Sequence, residues 1–439
     1  MTQVTHKDEA LHSNGRIPVG VWTEFPPGTK WANEGMSRLL GFLIEGVALG
    51  KKYTFRVVLG DGVREAAEED FAQLAATKGL DYTVHSPNDP SMRPDDYAAL
   101  ARFANAKVPV QGWISMFPYF RHALSLNAPV ATIFPDGIPA VFPTPDPAAW
   151  GTGGYLLNWR DNIRTIMEGC DGVITFSRHV AKDEVQKLFG IPASKISVVH
   201  HAPPDLKDLT PYVSQRRRSP ASLAAAGDIL REHARERGWT YLMDYPFEEV
   251  PFIAVSTQDR VTKNIRMVAE TVRNLVRTER FDMRLFMTTP LHFGRKWTPL
   301  PDYVEHEMLM PDVVSMPELP RPVHAAFYHC AAVAIHPAIF EGGHGTFPYF
   351  EAASVGTPCL MARGPHVQEL VDDEPSLDPF VFDPSDRQML ADKIKYVLAN
   401  REDVLDVQAR VYDRLGQRSW ADVAAGYAEA ALNRAPSVS

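Results

Sequence analysis

The sequence predicts an α/β protein of two successive domains, each a doubly wound parallel sheet. Three observations predict it. The chain has 439 residues, roughly two to three times the usual size of a single domain. Short apolar runs alternate with longer amphipathic stretches along most of it, as strands do when helices cover both faces of a sheet. The alternation stops once, near the middle, and then begins again.

In the first half the runs are Pro18–Thr23, Phe55–Gly60, Val110–Ser115, Val130–Phe134, Gly172–Ser177 and Ile196–Ala202. Helical patterns such as Met36–Leu49 and Asp161–Glu168 lie between them. The second half gives Pro251–Thr257, Met283–Thr289, Val313–Met316, Ala332–Pro337, Thr357–Met361 and Phe380–Phe382. Sheets of this kind bind ligands beyond the carboxyl ends of their strands.

The break covers residues 204–250. It holds the run Arg216-Arg217-Arg218, a helical stretch from Ser222 as N-cap to Arg237, and an aromatic segment with proline. It reads as an insertion and interdomain linker between domains at 1–203 and 251–404. The triple arginine reads first as a solvated loop, and second as a contact for an anionic acceptor or membrane lipid. Residues 405–439 form a terminal helical segment.

Composition excludes several classes. A hydrophobic fraction of 45% and a charged fraction of 23% are those of an ordinary globular protein. The net charge of −9 argues against the basic surface that nucleic acid requires. Cys170, Cys330 and Cys359 are far apart and lack metal-ligand spacing, so they read as reduced core thiols of a cytosolic protein. The N-terminus is polar, and no stretch reaches the roughly 18 apolar residues of a membrane span. A cytoplasmic protein is expected, with peripheral contact at the inner membrane face left open.

Two segments carry chemistry. In Val255-Ser-Thr-Gln-Asp-Arg260-Val-Thr-Lys263-Asn264 a strand ends, a turn follows, and a helix starts near Asn264. Such a junction is rich in free backbone donors, and Arg260 with Lys263 adds a guanidinium fork and a point charge suited to a diphosphate. The second is His336-Pro-Ala-Ile-Phe-Glu341-Gly-Gly-His-Gly-Thr346, which runs on through Glu351 to Cys359. Gly342, Gly343 and Gly345 let the backbone approach a ligand closely. A carboxylate lies on each side of the turn, and a carboxylate can accept hydrogen bonds from vicinal hydroxyls.

Together these segments resemble the retaining, family-4-type glycosyltransferases of the GT-B fold, the glycosyl transferases of group 1. Further matches are Phe176-Ser177 before a helix, Phe189-Gly-Ile-Pro with Lys195-Ile, Phe327-Tyr-His-Cys-Ala331, and Gly356-Thr-Pro358. The resemblance covers about residues 110–400. It implies two Rossmann-like domains facing a central cleft, with residues 405–439 returning to the first. It also implies a nucleotide-sugar donor, UDP- or GDP-linked, and neither cofactor nor metal. By the same resemblance Arg260 and Lys263 hold the donor diphosphate, and Glu351 holds the ribose. Glu341 contacts the transferred sugar, assisted by the amides from Gly342 to Thr346. The stretch Val314–Leu319 lies beside the base, and Asn33-Glu34-Gly35 forms a loop closing on the donor.

Two departures stand out. Nine residues separate Glu341 from Glu351, two more than is usual in the family, which brings His344 forward as a sugar contact. Where many members carry a histidine at the end of a strand, this chain has Phe134, with Asp136 close behind. Asp136 is therefore a candidate on the acceptor side, and His201, at the end of the last strand of the first domain, is another. The acceptor itself is a glycan, a lipid-linked saccharide or another hydroxyl compound, and the oligomeric state is open. Rival readings are a nucleotide-sugar 2-epimerase and a catalytically silent partner subunit.

Overall fold

The protein is described from a computed structural model covering residues 15–29, 31, 35–78, 82–142, 154–291 and 300–432. It divides into two compact units, residues 1–202 with 418–439, and residues 203–417.

The first unit is built on β1 (Ile17–Trp22), β2 (Tyr53–Val58), β3 (Tyr82–His85), β4 (Trp113–Ser115), β5 (Val130–Ile133), β6 (Gly172–Thr175) and β7 (Ile196–Val198). They pair in the order β3-β2-β1-β4-β5-β6-β7, all parallel. The longer covering helices are α1 (Gly35–Gly50), α2 (Asp61–Lys78), α3 (Tyr97–Lys107) and α4 (Gly154–Gly169). The strands read as apolar runs because both faces are covered, and Val19, Val21, Phe55, Val57 and Ile114 are fully buried.

The second unit holds β8 (Phe252–Val255), β9 (Arg284–Met287), β10 (Val313–Ser315), β11 (Val333–His336), β12 (Cys359–Ala362) and β13 (Val381–Phe382). Their order is β10-β9-β8-β11-β12-β13, again all parallel. Helices α5 (Pro220–Arg237), α6 (Ile265–Arg273), α7 (Arg321–Cys330), α8 (Phe347–Ser354), α9 (Pro365–Asp373), α10 (Arg387–Ala399) and α11 (Arg401–Leu415) surround them. The last helix, α12 (Trp420–Ala431), belongs to the first unit and packs on α1. Gly46 makes this approach possible, since a Cβ there would stand 2.0 Å from the Trp420 carbonyl oxygen. No described helix is long and apolar enough to cross a membrane.

The expected two α/β domains with doubly wound parallel sheets are present, but four details differ. Strand β3 escaped the sequence reading because Tyr-Thr-Val-His at a sheet edge is only partly buried and carries no apolar run. Residues 204–250 are not an insertion between units. Their helix α5 packs on α7, and Ala226, Leu230 and Ala234 join the core of the second unit. That helix is capped by Ser219 rather than Ser222. Ser219 Oγ accepts from the Ser222 amide at 3.0 Å, and Ser222 closes the reciprocal half of the capping box. The terminal segment also splits. α11 stays with the second unit, and the chain re-enters the first only from Arg418.

Candidate functional site

In each sheet the chain reverses its direction of growth between the first strand and the fourth, at β1/β4 and at β8/β11. Such a reversal is the usual ligand position in doubly wound sheets. The two chemistry-bearing segments of the second half follow β8 and β11.

After β8 the chain turns through Ser256–Arg260 into a short 3-10 turn, Val261–Lys263. Asn264 then adopts a left-handed conformation, with φ of 49°, and opens α6. Its side chain donates to the Pro384 carbonyl at 2.9 Å, which holds the turn in place. The Ile339 amide donates to the Thr262 carbonyl at 2.9 Å, tying the loop after β11 to the loop after β8. Lys263 and Glu341, 78 residues apart in sequence, are thereby joined in an ion pair.

The pair sits among imidazoles. His336, the last residue of β11, is buried, with Nε2 3.5 Å from Glu341 Oε1. Its ring meets that of His366 edge-on, the centroids 5.7 Å apart. Burial would raise the Glu341 carboxyl, but the Lys263 charge and the two imidazoles outweigh it and hold the group at about 2. Burial lowers His336 to about 4 against the opposing pull of Glu341, so at neutral pH its imidazole is uncharged. Sequence reasoning gave neither histidine a role. His336 carried a signal, a strand-end histidine just before the glutamate loop, whereas His366 is brought in only by the fold.

The glycine turn then leads into α8. Gly345 needs its lack of a side chain, with φ of 75° and Leu370 Cδ2 2.8 Å from where a Cβ would stand. Its amide donates to the His366 carbonyl at 3.0 Å. Thr346 caps α8, Oγ1 accepting from the Tyr349 amide at 3.4 Å. Glu351 lies further along α8, buried, with Tyr328 Oη 3.5 Å from Oε2. Glu341, in the loop after β11, and Glu351, on α8, both belong to the second unit.

Arg260 is exposed at the start of the 3-10 turn. The His344 ring is held by Asp373 at the end of α9, Nε2 to Oδ2 being 2.9 Å. Gly35 opens α1, while Asn33 and Glu34 lie outside the described residues. Asp136 follows β5, and its Oδ1 accepts from the Ile138 amide at 3.2 Å. Phe134 is fully buried, edge-on to Phe189 at 5.4 Å, so its side chain faces the core. His201 stacks near Phe176, Trp420 and Tyr427, with Nε2 2.8 Å from Tyr427 Oη. Burial depresses it to about 3, which makes it a neutral packing residue of the first unit. The arginines expected in a solvated loop are instead tied down: Arg216 pairs with Asp413, Arg217 with Glu402 and Asp406, and Arg218 donates to the His329 carbonyl.

Residues 250–400 match the family described as glycosyl transferases group 1. By sequence the chain matches no curated protein. Among solved structures it is similar to the HepE protein of Anabaena in complex with UDP-glucose, at 14% identity and a TM-score of 0.61, covering 94% of this chain and 98% of that one. Sucrose-phosphate synthase from Thermosynechococcus elongatus is similar at 14% identity, covering 93% and 97%, with a TM-score of 0.61. A glycosyltransferase from Rickettsia africae is similar at 15% identity, covering 94% and 96%, with a TM-score of 0.58. Identities this low speak for the fold, and the family match speaks for the second unit. The expected resemblance holds in both respects.

Proposed function

We propose that this chain, a GT-B glycosyltransferase of group 1, moves a sugar from a nucleotide-sugar to an acceptor hydroxyl without a metal and with retention of configuration. The observation that carries this reading is the Lys263–Glu341 pair at the β8/β11 reversal, beside the exposed Arg260.

In this reading the bond between sugar C1 and the diphosphate oxygen breaks, and its electron pair leaves with the nucleoside diphosphate. Arg260 and Lys263 stabilise the charge that develops there, an electrostatic task best served by groups already in place. The acceptor oxygen bonds to C1 on the face the phosphate leaves, and its proton passes to a phosphate oxygen. No strong protein base is required. Glu341, ionised because the Lys263 charge outweighs its desolvation, receives hydroxyls of the transferred sugar. Glu351 accepts from the ribose hydroxyls, and the amides of the Gly342–Thr346 turn, apart from that of Gly345, which is bound to the His366 carbonyl, assist Glu341 at the sugar. The neutral His336 limits the charge that Glu341 must share, leaving Lys263 as its main partner until a diphosphate competes for it. UDP- or GDP-sugars are the donors, and a glycan, a lipid-linked saccharide or another hydroxyl compound accepts, in the cytoplasm or at the membrane's inner face.

Calorimetric titration with UDP, GDP, ADP and TDP tests this, repeated on Arg260→Ala/Lys263→Ala. Losing two charge-assisted contacts is expected to weaken binding by more than about a hundredfold, roughly 3–5 kcal/mol. If none of the four binds, or the double variant binds as well as the parent, the donor site is wrong and a silent partner subunit becomes the better reading. Sugar release or epimerisation without an acceptor would instead favour the epimerase.

A further inference from the structure

At the amino ends of the second unit's strands, opposite the Lys263–Glu341 loops, four arginines surround the turn that ends α8. Three carboxylates meet them. Arg216 pairs with Asp413 at 2.8 Å, Arg217 with Glu402 and Asp406, and Arg401 Nη1 with Glu402 Oε1 at 2.8 Å. None of them pairs with Arg218. Its Nε donates to the His329 carbonyl at 3.0 Å, while its Nη2 is buried with no hydrogen-bond partner.

Two more polar groups of this region are in the same condition. Arg401 donates through Nη2 to the Gly356 carbonyl at 2.6 Å, yet its Nε is buried and unpartnered. The Tyr212 hydroxyl is buried and unpartnered too, on a ring edge-on to His329 with centroids 6.1 Å apart. A guanidinium does not deprotonate under ordinary conditions, and each buried donor without a partner costs free energy that folding must offset. Four cations against three carboxylates leave one positive charge over, and Arg218 is the arginine without an ion pair to any of the three.

We propose that Arg218, Arg401 and Tyr212 hold a small tetrahedral oxyanion of the phosphate or sulfate class. Its several acceptor oxygens satisfy three orphan donors at once, and its charge balances the cluster. Arginine suits this task because its planar fork matches the spacing of oxyanion oxygens. The surroundings agree, since burial and the neighbouring Arg401 charge pull Arg218 down to about 9, and a bound anion would reverse that pull. The site also bears on α8. Arg401 bonds to the Gly356 carbonyl, and a Cβ on Gly356 would stand 2.2 Å from the Arg216 carbonyl oxygen, so the arginine loop and the turn after α8 are clamped together. An anion here would fix the end of the helix that carries Glu351.

The test is calorimetric titration of the full chain with inorganic phosphate and with sulfate, at ionic strength held constant with chloride. It is run in the parent and in Arg260→Ala/Lys263→Ala, so that anion binding at the β8/β11 loops is counted separately. The expected result is saturable binding that survives in the double variant. Arg218→Gln should weaken it about tenfold or more, and Tyr212→Phe about threefold or more. Tyr212→Phe removes only an unpartnered hydroxyl, so it tests the site even if Arg218→Gln disturbs folding, and Arg218→Lys with circular dichroism supplies a second check. Binding lost with Arg260 and Lys263, unchanged in Arg218→Gln and Tyr212→Phe, or matched by chloride overturns the proposal.

Discussion

Two glutamates beyond the carboxyl ends of the two sheets have opposite chemistry. Glu184 in the first unit lies on a π-helical turn, Val180–Gln186, after β6 and is 3% exposed. Its Oε2 accepts from the Gly137 amide, and its Oε1 is buried without a partner. Burial and the nearby Asp136 raise it to about 8. Glu341 in the second unit is only half-buried, and Lys263, His336 and His366 outweigh the desolvation it does feel and hold it at about 2. Desolvation heads the causes in both cases, so the company each carboxyl keeps decides its charge. One unit has a neutral acid beside an amide, the other an anion locked to a cation. A doubly wound sheet places groups at its strand ends without dictating their protonation.

The largest expected effect tests the second half of this comparison. Glu341→Gln should lower turnover about a hundredfold or more while nucleoside diphosphate binds at least as tightly, because Lys263 is released to the phosphates. Steady-state kinetics beside calorimetry would decide. A weaker diphosphate complex with normal turnover would mean that the pair only holds the loops together.

Stability against pH tests both glutamates, with opposite signs. For Glu184 the folded state keeps the proton between about 4.5 and about 8, so wild-type stability should fall as pH rises through that window. Glu184→Gln should remove this dependence, a difference on the order of 5 kcal/mol at pH 9 by urea denaturation. The Glu341 contribution runs the other way. It should be complete above about pH 4.5 and lost as pH falls towards about 2. Parallel curves for wild type and Glu184→Gln from pH 5 to 9 would show that Glu184 is ionised in the folded protein.

A smaller effect is expected at Glu24, beyond the end of β1. It accepts from Trp22 Nε1 and the His122 amide, both at 2.8 Å, and lies 2.9 Å from His122 Nδ1. Glu24→Ala leaves those groups without their acceptor and should destabilise the protein by about 1–3 kcal/mol. Diphosphate affinity should be unchanged, since the donor loops lie on the other sheet. An equal loss of diphosphate binding would break the distinction between the two strand-end regions.

Much of this was legible in the chain. The apolar runs announced twelve strands because strands buried on both faces carry the signal themselves. Arg260, Lys263, the glycine turn and both glutamates stood out because close backbone approach and anion binding demand particular residue types. The edge strand β3 was missed because edges need little burial. The neutral His336, the contact of His344 with Asp373 and the burial of Phe134 were not legible, because each depends on a neighbour far along the chain.

By itself the sequence determined the element order, the two doubly wound sheets and the residue types of the candidate donor site. Tertiary structure alone decided which of them meet. Lys263 finds Glu341 because β8 and β11 are neighbours in the sheet, and Arg218 is left without a carboxylate because α7, α8 and α11 converge on one turn. Pairing and burial are properties of distance, and a linear pattern holds no distances between residues far apart.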